Sequence, residues 1–528
     1  MGFGGGYRLS RRRFLVGTAT LAGATAALAT TGGRAPGGGV NVRTTGAVGD
    51  GTADDTAAIQ RAIDTARGSR TVVLSGGIYR SGTLHLRSGL TLRLEAGAVL
   101  LASSDDADFA PPDTPKHHTF ADVETSDFSH ALLAGTDLTD VTITGSGTID
   151  GNRSERGGPK PIALRCCRRV RITGVRVLNA PNYAVSLLGC DKVEIDGVTV
   201  ERAHADGIDP DCCTDVRIVN CTVDAADDGI CLKASHALGV RRTTERVLIS
   251  DCTVRSSSNA LKLGSESSSG FRDVTFRRCT LLGRRAPEVP RAIAEAGGVA
   301  IEMVDGGVLE RVSVTDITML DVPVPLFVRL ADRGAGPSTR GPGTLRDVTI
   351  RRLVATGVQG TSSITGLRDV PIEGITLQDV LLSAAPTAGE ADLVGLEVPE
   401  APGGYPRPDM FGPLPAHGLY CRHVQGLGLA RVTLTSGVAE VRPGLVLDDV
   451  VDATIDGLAA RGAQPGVVVW MHDARRVAVR GLTASPGTGP DLRVTGAESG
   501  EIGLAAATAG RVERGPGVAA SVVTDLPI

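Results

Sequence analysis

The sequence predicts an all-β protein wound as a parallel β-helix, a solenoid of short strands. Short β-branched runs recur at intervals of 23 to 38 residues from position 141 onwards. Gly, Asp, Asn or Ser residues, which favour turns, bound each run. The shortest interval, 23 residues, leaves no room for a helix between strands and therefore disfavours alternating β-α units. A β-sandwich or a propeller is the competing all-β architecture.

Each run alternates apolar and polar residues, as a strand with one buried face does. The runs lie at 141–143, 170–172, 193–195, 216–218, 247–249, 274–276, 312–314 and 348–350. Similar runs at 453–455 and 477–479 extend the expected solenoid to about residue 500. Parallel strands stack about 4.8 Å apart, so residues one repeat apart become neighbours in space.

Composition narrows the class of protein. The chain has 528 residues, with 55 Lys and Arg against 59 Asp and Glu, so its net charge of −4 predicts no nucleic-acid partner. Hydrophobic residues make up 41%, which excludes a disordered chain, whereas aromatic residues make up only 3%. Few aromatic residues suit a narrow core layered from aliphatic side chains.

Residues 1–29 are predicted to form a twin-arginine export signal. Ser10-Arg11-Arg12-Arg13-Phe14-Leu15 precedes a small-residue apolar run that ends in Ala27-Leu28-Ala29, an A-x-A cleavage pattern. The run is shorter than the roughly 20 residues that span a bilayer, which disfavours a membrane anchor. We therefore expect cleavage, secretion and no membrane attachment of the mature protein, with a flexible linker over residues 30–39.

The next region, residues 40–110, is predicted to hold an N-terminal cap and the first coils. Helical spacing at 55–67 predicts a capping helix that covers the open end of the solenoid, with Asp54 or Asp55 as its N-cap. Its apolar positions are Ala57, Ile59, Ala62, Ile63 and Ala66. Residues 111–500 form the expected β-helix catalytic domain, with projecting loops at 334–344 and 398–415, and 501–528 a C-terminal tail.

The ten cysteines are not expected to form a disulfide framework. Twin-arginine export moves proteins that have already folded, so the core would form with reduced thiols. Cys167, Cys190 and Cys212 recur at intervals of 23 and 22 residues, as stacked small apolar residues would. The chain lacks two C-x-x-C pairs, which disfavours a zinc site.

A group of acids marks the expected site of chemistry. Aligning three coils by their inward apolar residues places Asp206, Asp228 and Asn259 in one column, and Asp209, Cys231 and Lys262 in the outward column beside it. Carboxylates this close repel one another, so one holds a proton while its neighbour stays ionised. Glycoside hydrolysis needs such a pair: an acid for the leaving oxygen and a base for water. The alternative is that these Asp residues only form Asx turns.

Three motifs resemble glycoside hydrolase family 28, which contains polygalacturonases and rhamnogalacturonan hydrolases. They are Gly49-Asp50-Gly51 with Asp54-Asp55-Thr56, the run at 81–86, and the run at 145–151, and the similarity covers about residues 40 to 320. The resemblance implies a right-handed parallel β-helix. It also implies that Asp227 is the general acid, that Asp206 and Asp228 activate water in an inverting reaction, and that no metal or organic cofactor takes part.

Other motifs depart from this family. The Asn-Thr-Asp motif of the family falls on His204-Ala205-Asp206, and its Gly-His-Gly motif falls on Ser258-Asn259-Ala260. Its Arg-x-Lys pair falls on Ala300-Ile301-Glu302, and losing two cations weakens the binding of an anionic sugar. The departures therefore favour a rhamnogalacturonan-type or substituted galacturonan over plain polygalacturonate.

Six residues are candidates for substrate binding: His204, Asp209, Lys233, Asn259, Lys262 and Glu302. One hypothesis is that Lys262 supplies the displaced positive charge, with Glu302 pairing to it or binding sugar hydroxyls. The alternative is a solvated lysine on an outer face. For His204 the alternatives are a replacement for the missing histidine and a plain turn residue.

A later segment concentrates aromatic residues in a chain that has few. It contains Tyr405, Phe411 and Tyr420 together with several arginines. Aromatic faces and guanidinium groups suit sugar recognition, whereas the alternative is that Phe411 and Tyr420 pack the loop onto the stack. The segment resembles an insertion of bacterial family members that walls one end of the cleft and favours attack at chain ends.

These observations together predict an exported, monomeric, inverting hydrolase of pectic polysaccharide of galacturonan or rhamnogalacturonan type. Its partner is a polysaccharide or oligosaccharide substrate. A polysaccharide lyase is one alternative, but lyases use calcium ligands and a basic residue for proton abstraction. A non-catalytic carbohydrate-binding β-helix is the other.

Overall fold

The structure is a computed structural model that describes residues 38–66, 70–284, 296–337, 341–384, 393–436, 440–461, 467–484, 490–505 and 511–526. The predicted export signal at 1–29 and most of the predicted linker at 30–39 lie outside the described residues. Within the described part, no helix is both long and apolar enough to cross a membrane.

The chain forms a right-handed parallel β-helix with three faces, which confirms the predicted fold class. Each strand pairs in parallel with strands one coil before and after it. The first face contains Leu84–His85, Ala131–Thr136, Lys160–Arg165, Val185–Leu188, Ile208–Asp211, Ile230–Leu232, Asn259–Leu263, Gly297–Met303, Val324–Leu330, Ser362–Thr365, Val469–His472, Leu492–Thr495 and Val512–Arg514.

The other two faces repeat the same pattern. The second face contains Val40–Asn41, Thr71–Leu74, Thr91–Leu94, Thr139–Gly145, Arg168–Thr173, Asp191–Asp196, Thr214–Val219, Thr244–Ser250, Phe271–Arg277, Gly500–Leu504 and Val523–Asp525. The third contains Asp50–Asp54, Gly77–Ser81, Ala98–Ala102, Thr148–Asp150, Arg176–Leu178, Thr199–Ala203, Thr222–Ala225, Thr253–Ser256 and Thr280–Leu282. Longer strands continue from one face to the next: Val308–Leu320, Thr344–Val358, Ile372–Ala384, Leu419–Thr435, Leu445–Arg461 and Arg475–Ala484.

Columns of identical or similar residues fill the core. Val170 pairs with Val193, Val193 with Val216, and Val216 with Val247, so one valine lies above another through successive coils. All of the runs predicted from the sequence fall in strands of the second face or its extensions. The apolar first and last residues of these runs are almost completely buried, and burying each one contributes roughly 1.5–3 kcal/mol.

The predicted capping helix is present and spans Thr56–Thr65. Asp55 occupies the N-cap position, but Asp54 accepts the hydrogen bond from the Thr56 backbone nitrogen at 3.0 Å. The buried side is formed by Ala58, Ile59, Ala62 and Ile63. The prediction that Ala57 faces inward was wrong: the buried stripe of the helix runs through positions 58, 59, 62 and 63, and Ala57 lies outside it and is exposed.

Other helical segments are short. A four-residue α-helix spans Val123–Ser126, and 3-10 turns span Val42–Thr45, Asp106–Asp108 and Ala520–Val522. Strand pairing also continues beyond the end expected near residue 500, since Ile502 pairs with Val523. The segment expected to be a C-terminal tail therefore adds two further strands to the stack, Val512–Arg514 and Val523–Asp525.

The stacked cysteine column contains Cys213 in place of Cys212. The backbone nitrogens of Cys167 and Cys190 lie 3.4 and 3.3 Å from the sulfurs of Cys190 and Cys213. Neighbouring residues at this corner point to opposite sides, so only one member of the Cys212-Cys213 doublet can enter the core column. All ten cysteines lie in the described part of the chain and are free.

Candidate active site

The acids predicted to act together lie on the outward side of the first face. The register places Cys231 beside Lys262 and Lys262 beside Ala300, as the alignment of coils predicted. Ile208 pairs with Ile230, which brings Asp209 next to Cys231. The alternating residues Ile208, Ile230 and Leu261 point into the core, so this outward column is free to hold polar groups.

Hydrogen bonds between coils hold the second predicted column together. Asp206 Oδ1 accepts from the backbone nitrogen of Asp228 at 3.3 Å. Asp228 Oδ1 in turn accepts from the backbone nitrogen of Asn259 at 2.9 Å and from Asn259 Nδ2 at 3.0 Å. Acids 22 residues apart in the sequence thus become direct neighbours, and the predicted column of Asp206, Asp228 and Asn259 is confirmed.

Two buried lysines contact these acids. Lys233 Nζ lies 3.3 Å from Asp206 Oδ2 and 3.7 Å from Asp209 Oδ1. Lys262 Nζ lies 2.9 Å from Asp228 Oδ2. The side chains of Lys233 and Lys262 are only 6% and 4% exposed. The alternative of a solvated Lys262 was therefore wrong, because its ammonium group is enclosed among carboxylates.

The carboxyl groups differ in charge state. Burial raises the pKa of Asp206 well above its usual range, and it raises the pKa of Asp209 to about 7. Burial also acts to raise the pKa of Asp228, but Lys262 and Lys233 outweigh it, and the pKa of Asp228 is lowered. The site thus combines Asp228, whose charged form is favoured, with Asp206 and Asp209, whose protonated forms are favoured, the division that adjacent carboxylates predict.

Asp227 is the accessible member of the three predicted catalytic acids. Its side chain is 26% exposed, against 4% for Asp206 and 6% for Asp228. Its Oδ2 atom accepts a hydrogen bond from Arg156 Nη1 at 2.6 Å. The same guanidinium group donates to Glu124 through Nε at 2.9 Å. Of the three predicted acids, Asp227 is therefore the one that is most accessible to solvent.

Glu302 is wholly buried next to Lys262. Neither of its carboxyl oxygens has a hydrogen-bond partner among the described residues, and its Oε2 atom lies 3.7 Å from Lys262 Nζ. Burial raises the pKa of Glu302 to about 8. The predicted contact between Glu302 and Lys262 is confirmed, whereas the binding of sugar hydroxyls by Glu302 stays a prediction.

The remaining predicted ligands, His204 and Asn259, border the acids. His204 Nε2 lies 3.2 Å from the carbonyl oxygen of Arg153, on the loop that also carries Arg156. Asn259 donates to Asp228, and its own Oδ1 atom is buried without a hydrogen-bond partner in the described structure. The substrate-binding roles of both residues stay predictions.

Sequence reasoning missed Glu266, Arg156 and Arg333. Glu266 lies one coil beyond Ala234, since the Ala234 backbone nitrogen donates to the Glu266 carbonyl at 2.8 Å, and its Oε2 atom is 3.3 Å from Lys233 Nζ. Burial opposes its ionisation, but Lys233 and then Arg333 hold its pKa well below the usual range. Extending the alignment of the coils two residues beyond Gly264 reaches Glu266. Arg156 and Arg333 lie in loops that have no repeat to align.

The aromatic segment plays two parts. Phe411 and Tyr420 are buried in one cluster with Phe327 and Val446, which confirms the packing alternative for these two residues. Tyr405 is 57% exposed and lies at the site, with the Arg333 guanidinium 5.7 Å from the centre of its ring. The loop therefore covers the outward column beyond Ala300 and brings one exposed ring to the acids.

A metal fits this cluster poorly. One oxygen of Asp206, one of Asp228 and the sulfur of Cys231 lie within 4.8 Å of one another. The ammonium groups of Lys233 and Lys262 already contact Asp206 and Asp228, and calcium prefers a shell of oxygen atoms. Burial raises the pKa of the Cys231 thiol well above its usual range, so it stays a neutral and weak ligand.

A parallel β-helix that stacks acids of unequal charge on one outward face has the architecture of a glycoside hydrolase. The family model for glycosyl hydrolases family 28 matches residues 114–393, more than half of the chain. The protein belongs to this family and acts on O-glycosidic bonds, as the motifs predicted. A second model, rhamnogalacturonase A/epimerase, pectate lyase-like, matches residues 39–93.

Similar proteins span much of the chain. A probable polygalacturonase from Vitis vinifera is 28% identical over 65% of this chain and 74% of its own length. An exo-poly-alpha-D-galacturonosidase from Dickeya chrysanthemi is 24% identical, over 49% of this chain and 54% of its own length.

Two solved structures share the fold. A hyperthermoactive exopolygalacturonase from Thermotoga maritima has a TM-score of 0.56 and 22% identity, covering 66% of this chain and 88% of its own. A family 28 exopolygalacturonase from Yersinia enterocolitica has a TM-score of 0.52 and 17% identity, covering 85% and 78%.

Proposed function

We propose that this protein is an exported, inverting hydrolase of galacturonan-type pectic polysaccharide. The observation that carries the proposal is the stacking of Asp206, Asp227 and Asp228 in adjacent coils with unequal exposure and charge. Family membership and the names of the related polygalacturonases support the choice of substrate.

The three acids divide the reaction between them. Asp227, the accessible carboxyl, protonates the leaving glycosidic oxygen. Asp228 is ionised and accepts a proton from the water that attacks the opposite face of the sugar, while Asp206 orients that water. Attack by water in one step inverts the anomeric configuration.

Arg156 supplies the positive charge that the family motif lacks at Ala300 and Glu302. Its side chain is 43% exposed, whereas Lys262 is enclosed against Asp228. In this proposal the carboxylate of a galacturonate residue replaces Asp227 as the partner of Arg156. The exchange pairs the carboxylate of the sugar with the Arg156 guanidinium group and at the same time frees Asp227 to carry a proton. Lys262 acts indirectly by keeping Asp228 ionised.

The loop at 393–418 supports attack at chain ends. Its Phe411 packs onto Phe327 and Tyr420, which follow Ala300 along the outward column, so the loop covers the face on the C-terminal side of the acids. We propose that this cover, with Tyr405 at its edge, limits the number of sugar units that can extend in that direction.

Product analysis tests this function. The mature protein is incubated with oligogalacturonate and with rhamnogalacturonan oligomers, and the anomeric configuration of the first products is followed by NMR. We expect new reducing ends of inverted configuration from oligogalacturonate, activity in the presence of chelator, and complete loss of activity in Asp227→Asn with the fold retained. Unsaturated, ultraviolet-absorbing products would show a lyase, and retained products would overturn the inverting assignment. An unaffected Asp227→Asn variant would overturn the role of this acid.

Export is tested separately. Replacing Arg11 and Arg12 together by lysine should abolish secretion of the full chain, and the N-terminus of the secreted protein should follow Ala29. Secretion that survives the double replacement would overturn the twin-arginine assignment.

A further inference from the structure

A second cleft lies on the first face, beyond the loop that covers the acids. Its volume is about 330 Å³. The aromatic and polar side chains that line it include Tyr420, Arg422, Asp448, Trp470, His472 and Asp473. All of its lining except Arg368 follows residue 393, where the match to the hydrolase family model ends.

The register of the coils builds this cleft from two outward columns. Tyr420 pairs with Val446 and Val446 with Trp470. They lie in the same outward column as Lys262, several coils towards the C-terminal end of the solenoid. The second column stacks Arg422, Asp448 and His472. Trp470 lies seven coils from Cys231, about 34 Å at the usual spacing of parallel strands. One saccharide unit therefore cannot contact both places.

The polar groups of the cleft are held in fixed positions. Tyr420 donates to Asp448 Oδ2 at 2.7 Å, and Arg422 Nε lies 3.3 Å from the same oxygen. The indole nitrogen of Trp470 donates to Thr495 Oγ1 at 2.7 Å, which fixes the ring. His472 keeps 42% of its side chain exposed. A fixed indole ring beside fixed hydrogen-bonding groups suits a ligand with one apolar face and many hydroxyls.

We propose that this cleft binds a neutral saccharide, with a pyranose ring stacked on Trp470 and its hydroxyls bonded by Arg422, Asp448 and His472. The charge of the lining selects against uronates. Four carboxylates line the cleft, from Glu397, Asp448, Asp449 and Asp473, against two guanidinium groups, from Arg368 and Arg422. A polyanionic sugar would meet net repulsion there, whereas a neutral one would not. This site is independent of the proposed substrate of the acids.

Trp470 provides the test, because it is the only tryptophan in the chain. Intrinsic tryptophan fluorescence therefore reports on this cleft alone, about 34 Å from the acids. The full mature protein carrying Asp227→Asn, which prevents hydrolysis, is titrated with a neutral galacto-oligosaccharide and, separately, with an oligogalacturonate. We expect a saturable fluorescence change with the neutral sugar and a much weaker one with the uronate.

Two variants sharpen the result. His472→Ala keeps the fluorescent reporter and should weaken binding of the neutral sugar about tenfold. His85→Ala, at an exposed position of the N-terminal coils, is the matched control and should leave binding unchanged.

Absence of a response at millimolar sugar, or a response that His472→Ala does not alter, would overturn the site. An equal or stronger response to oligogalacturonate would overturn the assignment to neutral sugars. Hydrolysis of short oligogalacturonates by the His472→Ala single variant should be unchanged, so this result stands apart from the proposed catalytic function.

Discussion

Replacing Lys262 by methionine tests the electrostatic design of the site. Lys262 Nζ lies 2.9 Å from Asp228 Oδ2, and neither side chain is more than 6% exposed. Methionine retains much of the aliphatic bulk but leaves the Asp228 carboxylate buried without its cation. Removing one partner of a buried ion pair typically lowers the free energy of unfolding by about 3–5 kcal/mol, and we expect a loss of that size.

The same replacement should move the pH dependence of catalysis. Lys262 is the largest influence that lowers the pKa of Asp228, so its loss raises that pKa and protonates the proposed base. The acid limb of the kcat/KM profile should shift to higher pH. In the wild type the pKa of Asp228 is lower in the folded state than its unfolded value of 3.8. Asp228 therefore stabilises the folded state at pH values above 3.8, and this stabilisation is lost as the pH falls through the lowered pKa. The stability difference between the two proteins should therefore shrink in acid.

Urea unfolding at about pH 7 and about pH 4, with pH–rate profiles, measures both effects. Lys192→Met, at an exposed lysine of the second face, is the matched control and should change neither quantity. Adding Asp228→Asn to Lys262→Met removes the unpaired charge and should restore much of the stability without restoring activity. A loss below about 1 kcal/mol at about pH 7, with an unmoved acid limb, would refute this account of the pair.

Three further replacements are informative. Because the pKa of Glu302 is raised in the folded state, the wild type should lose a few kcal/mol of unfolding free energy between about pH 5 and about pH 8. Glu302→Gln should remove this loss. The prediction is contradicted if urea unfolding shows the same pH dependence of stability in both proteins. Arg156→Met should raise KM for oligogalacturonate about tenfold or more, and an unchanged KM would remove Arg156 from substrate binding. Phe276→Ala, at a fully buried core position, should lower the free energy of unfolding by about 3–5 kcal/mol, measured by urea unfolding, and a loss under about 1 kcal/mol would show a core that collapses around the cavity.

The inward columns were predictable because they repeat. Val170, Val193 and Val216 recur at a constant interval, and a parallel stack converts that interval directly into contact. The same alignment located Asp206 and Asp228 as neighbours. The prediction of the cysteine column was wrong by one residue at Cys212. Cys212 and Cys213 are adjacent at a corner of the coil, and only the direction of the backbone there decides that Cys213 enters the core.

The sequence alone therefore determined the solenoid, its register and the identity of the stacked acids, since each follows from a period that the chain repeats. The tertiary structure decided what surrounds them. Arg156 reaches Asp227 from a loop that has no counterpart one coil away, and Phe411 brings a distant loop onto the outward face. Such contacts depend on the path of irregular segments and on the burial they create. That burial decides which carboxyl keeps a proton and which becomes a base.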